Sequence, residues 1–206
     1  MAVSIFEEGS AVGRLVPTTL SSCGTVNSTV SSYVTATHKQ LGPVVMTTLT
    51  IASLPQTVVN GTEYVGTKLW TFPSGRILIL NAEMSLAQKT TSILADTLNA
   101  SSTGALAIGS AAASNVALTS TMANILPSTA FTSSATINVA GTAAEAELDA
   151  NNDGAEIVNL DGTSTAIPVY LNCGYATTLD IDADATQNWT GTIYIKWLYH
   201  SGSTAL

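Results

Sequence analysis

Charge is what this chain has least of. Only 10% of its 206 residues are Asp, Glu, Lys or Arg, against about 25% in ordinary soluble proteins. Positive charge is scarcest: Arg14, Lys39, Lys68, Arg76, Lys89 and Lys196 are the whole set, and the formal net charge is -8. Gripping a phosphate backbone takes clustered cations, so these scattered singles argue against direct nucleic-acid binding. The two cysteines, Cys23 and Cys173, lie far apart with no CxxC or Cys/His spacing, so they form no metal or redox motif. They are expected as buried thiols packing like small hydrophobes, with a long-range disulfide between the N-terminal segment and the C-terminal half as the alternative. No apolar run approaches a membrane span. The opening MAVSIFEEGS carries Glu7 and Glu8 and lacks the basic start and long apolar core of a secretory signal. The expectation is a soluble protein made in a cytoplasm. Asn-x-Ser/Thr triplets begin at Asn27, Asn60, Asn99 and Asn188, but a chain this rich in Thr and Ser produces them by chance.

Catalytic motifs are missing too. His38 and His200 sit in the N-terminal segment and at the chain end, with no HExxH, GxSxG or phosphate-loop sequence around them. Nothing pairs either one with Cys23 or Cys173 as nucleophile and base. Glu145 and Glu147 read as exposed positions on an Ala-rich connection. No enzyme and no cofactor are expected.

What the chain has is apolar and small polar bulk. Apolar residues make up 46%, and Thr and Ser stand where Lys and Glu usually do. Thr is β-branched and suits a pleated, partly exposed surface, so the balance favours strands. A surface short of charge also loses little solvation when it meets another protein.

The apolar content peaks in LWTFPSGRILILNAEM, residues 69–84. Trp70 and Phe72 sit two apart, the spacing that puts both rings on one face of a strand. After the Pro73-Ser74-Gly75 break, Arg76–Leu80 reads as a central core strand covered on both faces. Upstream, Leu49, Ile51 and Ser53 alternate with Thr48, Thr50 and Ala52, and Leu54-Pro55 reads as the strand's end. A short strand at Thr57–Val59 then leads to the turn pair Asn60-Gly61. Residues 1–43 show no sustained period; Phe6, Val12, Leu15 and Val16 are their few large anchors, and the segment reads as an extended arm.

Downstream, residues 100–118 are nearly all small, with Gly104 and Gly109 favouring short strands and a loop over helix. Thr119 or Ser120 is placed to cap one helical turn before Pro127. Phe131–Val139 alternates as a strand does, and so does the C-terminal part. There Ile193, Ile195 and Trp197 share one face, and Tyr194, Lys196, Leu198 and His200 the other. Many short strands separated by turn signals imply an all-β fold, an antiparallel β-sandwich of jelly-roll type over residues 44–206, with residues 1–43 as the N-terminal arm.

Three clusters invite a ligand. DANNDG supplies oxygen side chains at Asp149, Asn151 and Asp153 and the glycine of a calcium loop, but its twelfth position is Leu160 and no amphipathic helix flanks it, so a solvated turn with no bound metal is expected. Asp180, Asp182 and Asp184 put carboxylates on one side of an extended segment, where mutual repulsion favours a strand edge or loop. Trp70, Trp189 and Trp197, with several tyrosines, would bind sugar faces if exposed; core and interface packing is their commoner use.

Taken in order, LWTFPSGRILILNAEM, LTSTMANILPSTAF, AGTAAEAE followed by NLDGTSTAIPVYLN, and NWTGTIYIKW resemble β-rich virion proteins of tailed bacteriophages, of the kind that decorate or cement the capsid. The resemblance runs from about Val44 to Trp197, while the ending LYHSGSTAL departs from the acidic or Gly-Asp tail common in that group. It implies a non-enzymatic capsid-surface protein, often a homotrimer, bound to the major capsid protein at capsomer junctions. Contacts are then expected from Phe6 and Leu15 in the arm and from Tyr194, Lys196 and Leu198 on the last strand. The alternatives are a module binding host glycan, or a tail-tube or adaptor subunit.

Overall fold

The computed structural model describes residues 23–41, 44–89, 103–132, 147–151, 158–175 and 185–200. Their strands are β1 (Thr25–Val26), β2 (Val34–Leu41), β3 (Val44–Val58), β4 (Tyr64–Thr71), β5 (Gly75–Lys89), β6 (Thr103–Gly109), β7 (Leu126–Thr132), β8 (Glu147–Asn151), β9 (Val158–Gly162), β10 (Pro168–Tyr175) and β11 (Ala185–His200). They form two sheets, a five-stranded one in the order β1-β4-β10-β6-β7 and a six-stranded one in the order β2-β3-β11-β5-β8, with β9 also on β5. Every pairing is antiparallel. The architecture is an all-β antiparallel sandwich, as the strand-and-turn pattern led one to expect.

Period-2 alternation builds the core from both sheets. Ile193, Ile195 and Trp197 of β11 are buried and meet Val169, Leu171 and Cys173 of β10 in one cluster. Trp70 and Phe72 join it, with Trp70 at 4.4 Å and Trp197 at 5.2 Å from the Phe72 ring, both edge-on. Such edge-to-face pairs place the positive rim of one ring on the negative face of the next.

Bulges beside β3 and β5 reset the alternation, and in both strands the structure departs from the sequence expectation. In β3, Leu49 and Ile51 point inward, but so do Leu54, Gln56 and Val58, because the register against β11 shifts between Ile51 and Leu54. Ser53 sits there at φ +58°. The strand therefore runs on through Pro55 and includes Thr57 and Val58, which sequence gave to a second strand. Pro55 is tolerated because β2 ends opposite Ile51, leaving β3 an edge strand where the missing N–H would fall. In β5 the register slips beside Leu80, so Ile77 and Ile79 face inward before it and Ala82, Met84 and Leu86 after it. Leu78 and Leu80 are only half-buried. The apolar run is thus two-faced and not covered on both sides.

The strand covered on both sides is β10. Its Asn172 side chain, fully buried, lies under the 110–125 segment, donating to the carbonyls of Ala111 (2.9 Å) and Met122 (2.7 Å) and accepting from the Ala113 N–H (2.8 Å). A 3-10 turn at Ser120–Met122 follows Thr119, at the place expected for the helical turn, though the Thr119 side chain makes no capping hydrogen bond.

The boundary at residue 43 needs correction. Val30 and Val34 are buried in the core, and β1 and β2 extend the two sheets, so residues 25–41 belong to the sandwich. Phe6, Val12, Leu15 and Val16 lie outside the described residues, as do Asp153 and the carboxylates of Asp180, Asp182 and Asp184.

Candidate interaction face

The outer face of the six-stranded sheet can be written out from its registers. Leu41 pairs with Val44, Val44 with Leu198, and Leu198 with Leu78. One pair further on lie Lys39, Met46, Lys196 and Asn81; then Thr37, Thr48, Tyr194 and Glu83; then Thr35, Thr50, Thr192 and Ser85. Directly opposed residues share a face. The surface therefore grades from an aliphatic row through a lysine row to a threonine field.

Exposure bears this out. Leu41 is 85% exposed, and Met46 and Tyr194 are each 38% exposed, so large apolar surface stands in water on this face. Across β2, β3, β11 and β5 its charges are few: Lys39, Lys196 and Glu83, whose Oε1 accepts from Asn81 Nδ2 at 2.8 Å, and at the rim Arg76, paired with Asp161 at 3.6 Å; on the β8 side the registers add Asp149 opposite Ser85 and Glu147 opposite Ala87. Asp161 accepts from the Thr163 hydroxyl and N–H, and these bonds, ahead of Arg76, hold its pKa below the usual carboxylate value.

Tyr194, Lys196 and Leu198 thus fall on one exposed face, as the last strand's alternation led one to expect. Leu41 and Lys39 of β2 and Met46 of β3 complete it; the first two fall in the stretch that the sequence suggests is an arm, and Met46 joins Lys196 only through strand pairing. The signal was there in VTATHKQL, whose even and odd positions already separate Val34, Ala36 and His38 from Thr35, Thr37 and Lys39.

Other sequence candidates do not assemble into a site. Asp149 and Asn151 stand in β8, paired with Ser85 and Glu83, so the first half of the supposed calcium loop is extended strand, and Glu147 opens that strand instead of lying on a connection. No group of three or more His, Cys, Asp and Glu is placed to hold a metal among the described residues. Trp70, Trp189 and Trp197 are all fully buried, which removes them as a platform for sugars.

Both cysteines are free thiols; Cys173 is buried as expected, but Cys23 only half-buried. A disulfide is out of reach. Thr25, two residues beyond Cys23, pairs with Thr71, whereas Cys173 pairs with Val65. At about 3.3 Å per residue, those points on β4 are roughly 20 Å apart, far beyond disulfide geometry.

His38 points inward beside Thr47. Trp197 Nε1, which can only donate, gives its hydrogen bond to Thr47 Oγ1 at 2.9 Å. The Thr47 hydroxyl keeps its own proton and a second lone pair, and it lies 2.9 Å from His38 Nδ1, a hydrogen bond whose direction follows the histidine tautomer. Desolvation pulls the His38 pKa down, which favours the neutral imidazole.

No helix among the described residues is long and apolar enough to cross a membrane. No protein family, curated protein or solved structure matches the chain.

Proposed function

We propose that this is a virion structural protein of a tailed bacteriophage, a decoration or cement protein that docks on the capsid through the outer face of its six-stranded sheet. The observation that carries the reading is that face: a field of aliphatic, threonine and tyrosine side chains crossed by one row bearing Lys39 and Lys196, so that few charges need desolvating across β2, β3, β11 and β5. Across β2, β3, β11 and β5 it spans roughly 19 by 23 Å, on the order of 400 Å². That is about half of what each partner buries in a stable one-to-one complex, ~800 Å². A single copy would hold weakly, whereas copies joined in an oligomer would engage several sites of a repeating lattice at once and hold well.

Strand order supports a jelly-roll reading of the sandwich. Taking β3, β4, β5, β6, β7, the β8–β9 pair, β10 and β11 as successive strands, the first, eighth, third and sixth are neighbours in one sheet, and the second, seventh, fourth and fifth in the other. Double Greek-key wrapping of that kind is common in viral capsid domains. β1 and β2 then add one edge strand to each sheet.

The test is sedimentation of the purified chain with assembled heads of the phage that encodes it, comparing wild type with Tyr194→Ala, Met46→Asp and Lys196→Glu. Saturable co-sedimentation that these variants lose supports the reading; wild-type protein left in the supernatant overturns it. Removing residues 1–22 tests the arm with β1 and β2 intact, whereas a cut at residue 40 would strip an edge strand from each sheet.

A further inference from the structure

We propose that Asn60 is a site of spontaneous covalent modification, its side chain cyclising onto the backbone nitrogen of Gly61 and opening to aspartate or isoaspartate in the folded protein. In the first step the Gly61 nitrogen attacks Asn60 Cγ. A nitrogen–carbon bond forms, the Cγ–Nδ2 bond breaks, and ammonia leaves with the proton the backbone nitrogen gives up. Water then adds to either carbonyl of the cyclic imide. Opening on one side gives aspartate; opening on the other leaves the main chain running through the side-chain carbon. One water is consumed and one ammonia released, with no oxidant or reductant.

The ring closes fastest where the following residue has no side chain to hinder it and the turn has room to rotate. Among the described asparagines, Asn60 alone precedes a glycine. Gly61 sits at φ +78° in the exposed turn between β3 and β4, and no atom lies within 4 Å of where a Cβ would stand. The turn is closed by Thr62, whose N–H and hydroxyl both donate to the Val59 carbonyl, at 3.1 and 2.9 Å. No ladder pairs residues 59–62 with a neighbouring strand, and the Glu63 carbonyl, accepting from the Tyr175 N–H at 2.8 Å, ties the far side of the turn to β10. Rotation about residues 60 and 61 falls between these anchors and leaves both sheets in place.

The same fold holds a counter-example. Asp161-Gly162 is also prone to imide formation, but it is locked. Gly162 is buried and pairs with Gly75 in the sheet, and a Cβ there would lie 2.7 Å from the Gly75 carbonyl. Asp161 Oδ1 is held by the Thr163 N–H at 3.1 Å and hydroxyl at 2.7 Å, with Arg76 beside Oδ2. An ionised carboxylate so engaged resists attack and cannot swing onto its neighbour's nitrogen. Among the described residues the chemistry is thereby confined to one turn, where it adds a negative charge near Glu63 and, as isoaspartate, lengthens the link between the sheets by a methylene.

The full chain, incubated folded at neutral and alkaline pH and then digested, is read by peptide mass spectrometry. Conversion is expected at residue 60, faster at higher pH because the attacking nitrogen must lose its proton, with none at residue 161. In denaturing urea both sites react. Asn60→Gln all but loses the conversion and Gly61→Ala slows it at least several-fold, and the first keeps the glycine the turn uses. An unmodified Asn60 in the folded chain, or folded-state isomerisation at Asp161 as fast as at Asn60, would overturn the assignment.

Discussion

The Tyr175 hydroxyl of β10 crosses the core to Gln187 of β11, donating to Oε1 at 2.6 Å. The same oxygen accepts from Gln88 Nε2 at 2.9 Å, and Gln187 Nε2 donates to Cys173 Sγ at 3.1 Å. Gln187 is thus the hub of a buried polar group joining the two sheets. Gln187→Leu removes the acceptor that two donors use, and its expected cost is about 2–4 kcal/mol. Tyr175→Phe removes one donor and should cost about 1 kcal/mol. Urea unfolding monitored by tryptophan fluorescence distinguishes them; equal midpoints would mean that Gln187 is not the hub.

Acid sensitivity should trace to His38. Its folded pKa is depressed by burial, so the native state favours the neutral ring, and the unfolded chain takes up the proton first as pH falls. The contribution of His38 is fully present above the unfolded value, about 6.5. It declines as pH falls from there through the folded pKa. His38→Gln should flatten that part of the profile of urea midpoint against pH. An unchanged slope below pH ~6.5 would assign the acid sensitivity elsewhere.

Backbone strain separates two glycines. Gly191 of β11 has φ +144°, and a Cβ there would collide with the Ser85 carbonyl and lie 3.0 Å from Leu86 Cα. Gly61 is also left-handed, yet surrounded by open space. Gly191→Ala is expected to cost about 2–4 kcal/mol, combining strain with displacement of β5. Gly61→Ala should cost only about 1 kcal/mol, for conformation alone. Thermal unfolding of both variants checks the order; comparable losses would contradict the close approach at Ser85.

Much of this was legible in the sequence wherever strands kept an unbroken alternation. Ile193, Ile195 and Trp197 read correctly because β11 keeps its parity from Gln187 to Trp197. β3 and β5 misled because a bulge leaves no compositional mark: nothing in TIASLPQ announces that Ser53 turns left-handed and shifts the inward set from Ile51 to Leu54. The exposed face was half-legible, since Tyr194, Lys196 and Leu198 belong to one strand while Met46 and Leu41 join them only through pairing. The buried amides did leave a trace. Gln56, Gln88 and Gln187 stand two residues from Leu54, Leu86 and Trp189, in phase with the core.

Cys173 should be chemically silent until the fold opens. Burial, only partly offset by hydrogen bonds from Gln187 and Tyr175, pushes its thiol up to about 12. At pH 8 a pKa near 12 leaves about one thiolate in 10⁴, and the sulfur is also fully enclosed between the sheets. Cys23 is half-buried, and burial raises its pKa as well, so it reacts slowly but from an accessible position. Iodoacetamide at pH 8 should therefore modify Cys23 alone in the native protein and reach Cys173 only through unfolding. In Gln187→Leu the thiol loses a hydrogen-bond donor that favours its charged form, so its pKa should rise further. If labelling of Cys173 nevertheless accelerates in that variant, more frequent opening of the weakened core is the route. Mass spectrometry of the alkylated peptides over time reads both rates, and native Cys173 labelling as fast as Cys23 would refute the closed core.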